Sequence, residues 1–125
     1  MMAFDRLEAG KASYALALQV YDITEDFPKR EWFGLAAQAR RAAISVPLNL
    51  AEGSAKRGPR EFRRYVDIAM GSLAELVIAL RLSRDRKFLS AEQWASFETC
   101  KENASKMVWR LARSLDRQMG RSNDK

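Results

Sequence analysis

The sequence predicts an all-α fold, an up-down-up-down antiparallel four-helix bundle that forms one domain over residues 1–125. Apolar residues recur every third or fourth position along four segments, as they do on the buried faces of packed helices. Almost no stretch alternates apolar and polar residues, which a half-buried strand requires. Only six glycines and three prolines interrupt the chain, and the short connections predict that neighbouring helices are antiparallel.

The first two helices are predicted over about 5–26 and 31–54. Two apolar seams run along the first helix, and they suggest contact with more than one neighbour. The seams comprise Leu7, Tyr14, Leu18 and Tyr21, and Leu16, Val20, Ile23 and Phe27. The second helix has an alanine-rich middle that favours helix and permits close packing. Pro47 lacks a backbone donor, so we expect it to kink or end this helix.

The last two helices are predicted over about 59–87 and 90–119. Pro59 suits a first helical position. Ser90, followed three residues later by Gln93, has the spacing of a capping box. Apolar seams then follow the two helices: Phe62, Val66, Ala69, Leu73, Leu76 and Leu80 on the third, and Phe97, Ala104, Val108, Leu111 and Leu115 on the fourth.

Composition excludes most catalytic chemistry. The chain has no histidine and one cysteine, Cys100. Zinc sites need several Cys, His or carboxylate ligands, and the usual hydrolytic triad needs an imidazole. We therefore expect no enzymatic activity, no catalytic residue, no cofactor and no metal site. The single thiol, the absence of a signal-peptide pattern and the absence of a bilayer-spanning segment predict a cytoplasmic protein with no membrane association.

Charge is distributed unevenly along the chain, whose net charge is +6. Residues 1–26 carry a net charge of −3, whereas residues 56–64 and 101–121 each carry +4. On the fourth helix, four cations fall within about 60° of one another, opposite the apolar seam. Arginine binds phosphates through two hydrogen bonds, and aligned cations release counterions from a polyanion. The cations predicted to bind nucleic acid are Lys56, Arg57, Arg60, Arg63, Arg64, Lys106, Arg110, Arg113 and Arg117.

The alternative interpretation of these cations is a solvated face, favourable at a helix C-terminus, or a surface for subunit pairing. Trp109 lies at the edge of the fourth-helix cations, where it could stack on a base or pack against a neighbouring subunit. Trp32 and Trp94, near helix starts, are predicted to pack in the core or at an interface.

A polar network is predicted between the second and third helices. Glu75 has small or apolar neighbours on its helix, and a buried carboxylate needs a partner. Arg41 is the natural partner of Glu75 because the two helices should run antiparallel. Pro47 leaves backbone groups without hydrogen-bond partners, and Asn49 and Glu52 follow it closely enough to supply them. We expect Arg41, Asn49, Glu52 and Glu75 to form a structural network that fixes helix register.

Two stretches resemble the signatures of the bacterial four helix bundle protein family, first found in intervening sequences of 23S ribosomal RNA genes. They are residues 40–53 (RRAAISVPLNLAEG) and residues 71–76 (GSLAEL). One departure is Leu48-Asn49-Leu50, where the family pattern has Ser-Asn-Ile. The resemblance implies a ring-shaped homopentamer with no established enzymatic activity. It also implies a distant similarity to the accessory protein of diversity-generating retroelements, which binds nucleic acid and a reverse transcriptase.

Three functional hypotheses follow. The first is a non-enzymatic oligomer that binds RNA or DNA through its basic surface patches. The second is a scaffold whose charged patches mediate self-assembly or contact a protein partner that the sequence does not identify. The third is a metal-dependent nuclease that uses Asp22, Glu25 and Asp26, since hard cations accept such ligands; a solvated acidic patch explains these residues more simply.

Overall fold

Four α-helices account for nearly all of the chain. The computed structural model describes the backbone of residues 2–123 and the side chains of residues 2–120. The helices are α1 (Glu8–Glu25), α2 (Leu35–Ser54), α3 (Gly58–Asp85) and α4 (Ala91–Asn123). Short 3-10 helices over Ala3–Arg6 and Lys29–Glu31 precede α1 and α2. No strand occurs within residues 2–123.

The helices form the predicted four-helix bundle. α2 packs against α1 and α3, while α4 packs against α3 and α1. α3 and α4 therefore lie side by side, and α4 is diagonal to α2. The buried core between them is built from aliphatic side chains, Phe27 and Phe97. Its largest apolar members that are fully buried, besides Phe97, are Leu16, Val20, Val46, Leu50, Val66, Leu76, Leu80 and Val108.

Only one of the two apolar seams on α1 enters this core. Leu16 and Val20 are fully buried, whereas Tyr14 and Leu18 remain 57% and 56% exposed. Each helix of the four-helix bundle has two neighbouring helices. One broad apolar stripe contacts both neighbours and the centre of the bundle. The seam that contains Tyr14, Leu18 and Tyr21 is therefore left on the surface, where it lines a groove between α1 and α2.

The helix boundaries differ from the predicted ones by local turn chemistry. α2 begins at Leu35 rather than residue 31, because residues 32–34 form a turn that ends at Gly34. α3 ends at Asp85, and Lys87 then adopts the left-handed conformation with φ 66°. Pro47 does not end α2, which continues to Ser54.

The capping box at the start of α4 is present. The Ser90 amide donates to Gln93 Oε1 at 2.8 Å, and the Gln93 amide donates to Ser90 Oγ at 3.0 Å. Together the two bonds satisfy amides that the first turn of a helix otherwise leaves unpaired.

Candidate nucleic-acid interface

The outer face of α4 carries a row of exposed cations. Ala104, Val108, Ala112 and Leu115 are buried, which fixes the rotation of the helix in the bundle. The opposite face then points to solvent, and its exposed cations are Lys106, Arg110, Arg113 and Arg117, called here the α4 stripe. This is the arrangement that the sequence spacing predicts.

Trp109 lies within the stripe. It is 55% exposed, and Arg113 Cζ lies 5.1 Å from the centroid of its indole ring. Trp109, Arg110, Arg113 and Arg117 together line a shallow pocket of about 240 Å³. The site therefore combines an accessible aromatic face with three guanidinium groups. Stacking of bases on such a face and pairing of guanidinium with phosphate are the two contacts that single-stranded nucleic acid uses.

None of the four stripe cations forms an ion pair with a described side chain. The carboxylate closest to them in sequence, Asp116, accepts a hydrogen bond from Arg63 Nε of α3 at 3.0 Å. That bond diverts a negative charge away from the stripe, so its cations remain available to an anion.

The predicted cations around the α2–α3 connector are only partly available. Lys56, Arg57 and Arg60 are exposed. Lys56 Nζ lies 5.6 Å from the Tyr65 ring centroid, and Arg64 Cζ lies 5.1 Å from it. This pair of cations around Tyr65 forms a second, smaller aromatic and basic cluster.

Arg63 and Arg64 are engaged in ion pairs. Arg63 binds Asp67 on its own helix as well as Asp116 on α4, and Arg64 binds Glu61 at 3.3 Å. Partial burial acts to lower the pKa of Arg63, but the hydrogen bonds and charges of its two carboxylates outweigh burial and raise that pKa. The hydrogen bond that Arg64 donates to Glu61 raises the pKa of Arg64. Of the nine predicted cations, Arg63 and Arg64 are the two that form ion pairs with described carboxylates, and Arg63 alone joins two helices.

The α4 stripe runs from the middle of α4 toward the end of the bundle that carries the connector. The Arg63–Asp116 pair ties the beginning of α3, next to the connector, to the last part of α4. Arg117 directly follows Asp116, so the stripe and the connector are neighbours across this pair. The structure thus brings together residues that are about 50 positions apart in sequence.

The structure does not form the predicted polar network. Arg41, Glu52 and Glu75 are exposed, and no hydrogen bond or ion pair joins them among the described side chains. The physical reason is helix rotation: Ser72, Leu76 and Ala79 are the buried residues of this part of α3, which leaves Glu75 on the solvent side. An exposed carboxylate is hydrated and needs no buried partner.

A network of small polar side chains lies between α2 and α3 instead. The hydroxyl oxygens of Ser45 and Ser72 are 2.7 Å apart. Asn49 Nδ2 donates to the Ser45 carbonyl at 2.8 Å and to Ser45 Oγ at 3.0 Å, so Asn49 is the one predicted member that belongs to it. In the sequence, the signal for this network is the presence of Ser45 and Ser72 at helix positions that are otherwise apolar.

The acidic residues of α1 do not form a metal site. Asp22, Glu25 and Asp26 are exposed, and Asp26 Oδ2 accepts a hydrogen bond from Gln93 Nε2 at 3.2 Å. Within residues 2–123, no group of three metal-ligating side chains comes together. In the same part of the chain, no helix combines the length and the apolar character that crossing a bilayer requires.

Fold and surface together define a small α-helical bundle protein with a basic face that carries an exposed tryptophan. The sequence profile of the 23S rRNA-intervening sequence protein family matches residues 5–110, and the chain belongs to this family. Lys106 and Arg110 lie inside the matched range, while Arg113 and Arg117 follow it. A search of curated proteins found no match. The similarity to the retroelement accessory protein stays a prediction.

Proposed function

We propose that this chain is a non-enzymatic protein that binds RNA through the α4 stripe, as an oligomer. The observation that carries the proposal is the Trp109–Arg113 pair, set among three further cations that form no ion pair with a described side chain. The connector cations extend this surface at the same end of the bundle. RNA is preferred to DNA because the family takes its name from sequences inserted in 23S rRNA.

Binding of this kind is electrostatic and depends on salt. Each cation that neutralises a phosphate releases counterions, so the logarithm of affinity falls linearly with the logarithm of salt concentration. The slope is about −0.7 for each phosphate contacted on a single strand. Stacking on Trp109 adds an attraction that salt hardly changes.

The test is charge reversal within the stripe. The triple variant Arg110→Glu, Arg113→Glu, Arg117→Glu is expected to bind fluorescent oligo(U) at least about tenfold more weakly than the unmodified chain, with a salt slope smaller by about 2. Anisotropy measures both quantities. Because the three side chains are exposed, circular dichroism should report unchanged helix content.

A matched control separates the stripe from overall charge. Lys11→Glu, Arg41→Glu and Arg81→Glu reverse three exposed cations on other helices and produce the same change in net charge. This control should keep most of the affinity for oligo(U). Equal losses in the two triple variants would contradict the proposal, because overall charge and not the stripe would then govern binding.

A scaffold role is the second candidate, and the surface groove between α1 and α2 favours it. The groove has a volume of about 390 Å³ and only apolar residues line it, among them Tyr14, Leu18, Pro47 and Leu48. Its occupant in this proposal is a second copy of the chain, as the resemblance to a homopentameric family implies. Binding RNA and self-assembly use different faces, so the two candidates are compatible.

A further inference from the structure

Two adjacent aromatic side chains lie in solvent at the other end of the bundle. Phe33 is 95% exposed and Trp32 is 48% exposed, in the turn between the 3-10 helix Lys29–Glu31 and α2. Trp32 does not pack in the core, the first of its two predicted places, because the turn directs it outward before α2 begins; packing at an interface stays a prediction. An apolar ring as exposed as Phe33 contributes nothing to the core of this chain.

Cations surround the aromatic rings at this end. Lys29 Nζ lies 5.9 Å from the Trp32 ring centroid. The Cζ atoms of Arg30 and Arg86 lie 5.7 and 5.8 Å from the centroid of Phe88, which is half-buried against Phe27. No ion pair involves Lys29, Arg30 or Arg86 among the described side chains. The aromatic contacts hold these cations near the surface without neutralising them.

Most carboxylates of the same turns are already engaged. Glu31 Oε1 accepts a hydrogen bond from the Leu35 amide at 3.3 Å, Asp26 binds Gln93, and Asp85 Oδ1 accepts one from Arg84 Nε at 2.9 Å. Glu25 and Glu92 remain without a described partner. Of these carboxylates, Asp85 is the one paired with a cation, while Lys29, Arg30 and Arg86 form no ion pair with a described side chain.

We propose that this end is a second contact site for single-stranded nucleic acid, in which bases stack on Trp32 and Phe33 while Lys29, Arg30 and Arg86 hold backbone phosphates. The inference rests on the proposed function, because it supplies the same ligand with a second point of attachment. Exposed rings interleaved with unpaired cations suit a strand of alternating bases and phosphates. A second copy of the chain is better accommodated in the apolar groove, which offers no charge.

The two sites are separated by a distance that a strand of several nucleotides can bridge. α4 begins at the same end of the bundle as the Trp32 turn, and the first stripe cation, Lys106, lies about 22 Å further along α4 at 1.5 Å per residue. A long strand can engage both sites at once, and the second contact then benefits from a high effective concentration.

Tryptophan fluorescence tests the site directly. In the variant Trp94→Phe, Trp109→Phe, Trp32 is the remaining tryptophan. Short oligo(U), about 8 nucleotides, is expected to quench its emission to saturation, more weakly as salt rises. The quenching should persist when Arg110, Arg113 and Arg117 are also changed to Glu, because the stripe is a separate site.

A second variant measures what the site adds. Trp32→Ala, Phe33→Ala should bind oligo(U) of about 30 nucleotides at least about fivefold more weakly than the unmodified chain. Ile68→Ala, which shortens an exposed apolar side chain on α3, is the matched control and should leave the affinity unchanged. Circular dichroism and light scattering verify that both variants keep their fold and assembly.

Three results would overturn the inference. Unchanged Trp32 emission while anisotropy reports binding removes this site and leaves the proposed function in place. A response of Trp32 to phosphatidylserine vesicles but not to oligo(U) assigns the rings to a membrane surface. Dissociation of the oligomer in Trp32→Ala, Phe33→Ala assigns them to a contact between copies. Failure of every variant and of the unmodified chain to bind oligo(U) rejects the proposed function itself.

Discussion

Two helical glycines have opposite surroundings. A Cβ atom on Gly53 would lie 2.8 Å from Tyr65 Cβ and 2.9 Å from Phe62 Cδ1, because α2 and α3 approach closely there. A Cβ atom on Gly71 would meet nothing within 4 Å. Packing at Gly53 therefore requires a residue without a side chain. At Gly71 the missing side chain has only an entropic effect: it gives the unfolded backbone more freedom and so lowers the free energy of unfolding.

We expect Gly53→Ala to lower the free energy of unfolding by about 1–3 kcal/mol, because the new methyl group forces α2 and α3 apart. Gly71→Ala is the control and should raise it by about 0.5–1 kcal/mol, since alanine restricts the unfolded chain. Chemical denaturation followed by circular dichroism measures both. A stable Gly53→Ala variant would mean that the close approach of the two helices is incorrect.

Cys100 links stability to pH. Burial raises the pKa of its thiol above the ordinary value. Above about pH 8.5 the unfolded chain releases this proton while the folded chain retains it, so the contribution of Cys100 favours unfolding increasingly as pH rises. The unmodified chain should lose more stability between about pH 7 and 9.5 than Cys100→Ala does. Parallel pH dependences of the two proteins would contradict this assignment.

At the scale of single elements, the Ser45–Ser72 contact joins α2 to α3. Each hydroxyl has a further local bond: Ser72 Oγ donates to the Ile68 carbonyl at 3.1 Å, and Ser45 Oγ accepts from Asn49. Both hydroxyls are at least partly buried, so removal of one leaves the other with one hydrogen-bond partner fewer. This contact places the two helices in a fixed register, the role that the sequence had suggested for Glu75 and Arg41.

A double-mutant cycle tests this coupling. Ser45→Ala and Ser72→Ala should each lower the free energy of unfolding by about 1 kcal/mol. The double variant should lose less than the sum of the two, because the second substitution removes a hydroxyl that has already lost its partner. Strict additivity of the two losses would show that the hydroxyls do not interact.

The sequence predicts the buried faces of the helices better than it predicts the burial of residues at the edges of those faces. Buried residues such as Val66 and Val108 follow from periodicity, because a core selects apolar side chains at every turn of a helix. Glu75 lies near the boundary of such a stripe, where a rotation of a few tens of degrees decides between burial and solvent. The α4 stripe was predictable since it lies far from that boundary, whereas the pairing of Arg63 with Asp116 required knowledge of which helices are neighbours.

At the scale of the whole molecule, one apolar seam of α1 lies outside the core and lines the groove between α1 and α2. Contact with a second copy would account for its apolar character. In the proposed assembly, a second copy covers Leu18 and Leu48, which are 56% and 62% exposed. An exposed apolar groove of this kind is a surface that a second copy can cover.

We therefore expect Leu18→Glu, Leu48→Glu to dissociate the oligomer into monomers, because two carboxylates would have to be buried without partners. Light scattering measures the mass, and circular dichroism should report an unchanged helix content. Ile68→Glu introduces a carboxylate at an exposed apolar position outside the groove and should leave the mass as it is. An oligomer that survives in the double variant would place the contact between copies elsewhere.

Arg63 has a consequence beyond the joint it makes between α3 and α4. Its single guanidinium shields two acidic groups, Asp67 and Asp116, that would otherwise project a repulsive field toward the α4 stripe. Charges within a screening length of about 10 Å influence the approach of a polyanion even without touching it. If the chain binds RNA as proposed, loss of Arg63 slows the capture of RNA from a distance, although no atom of this side chain need ever meet the ligand.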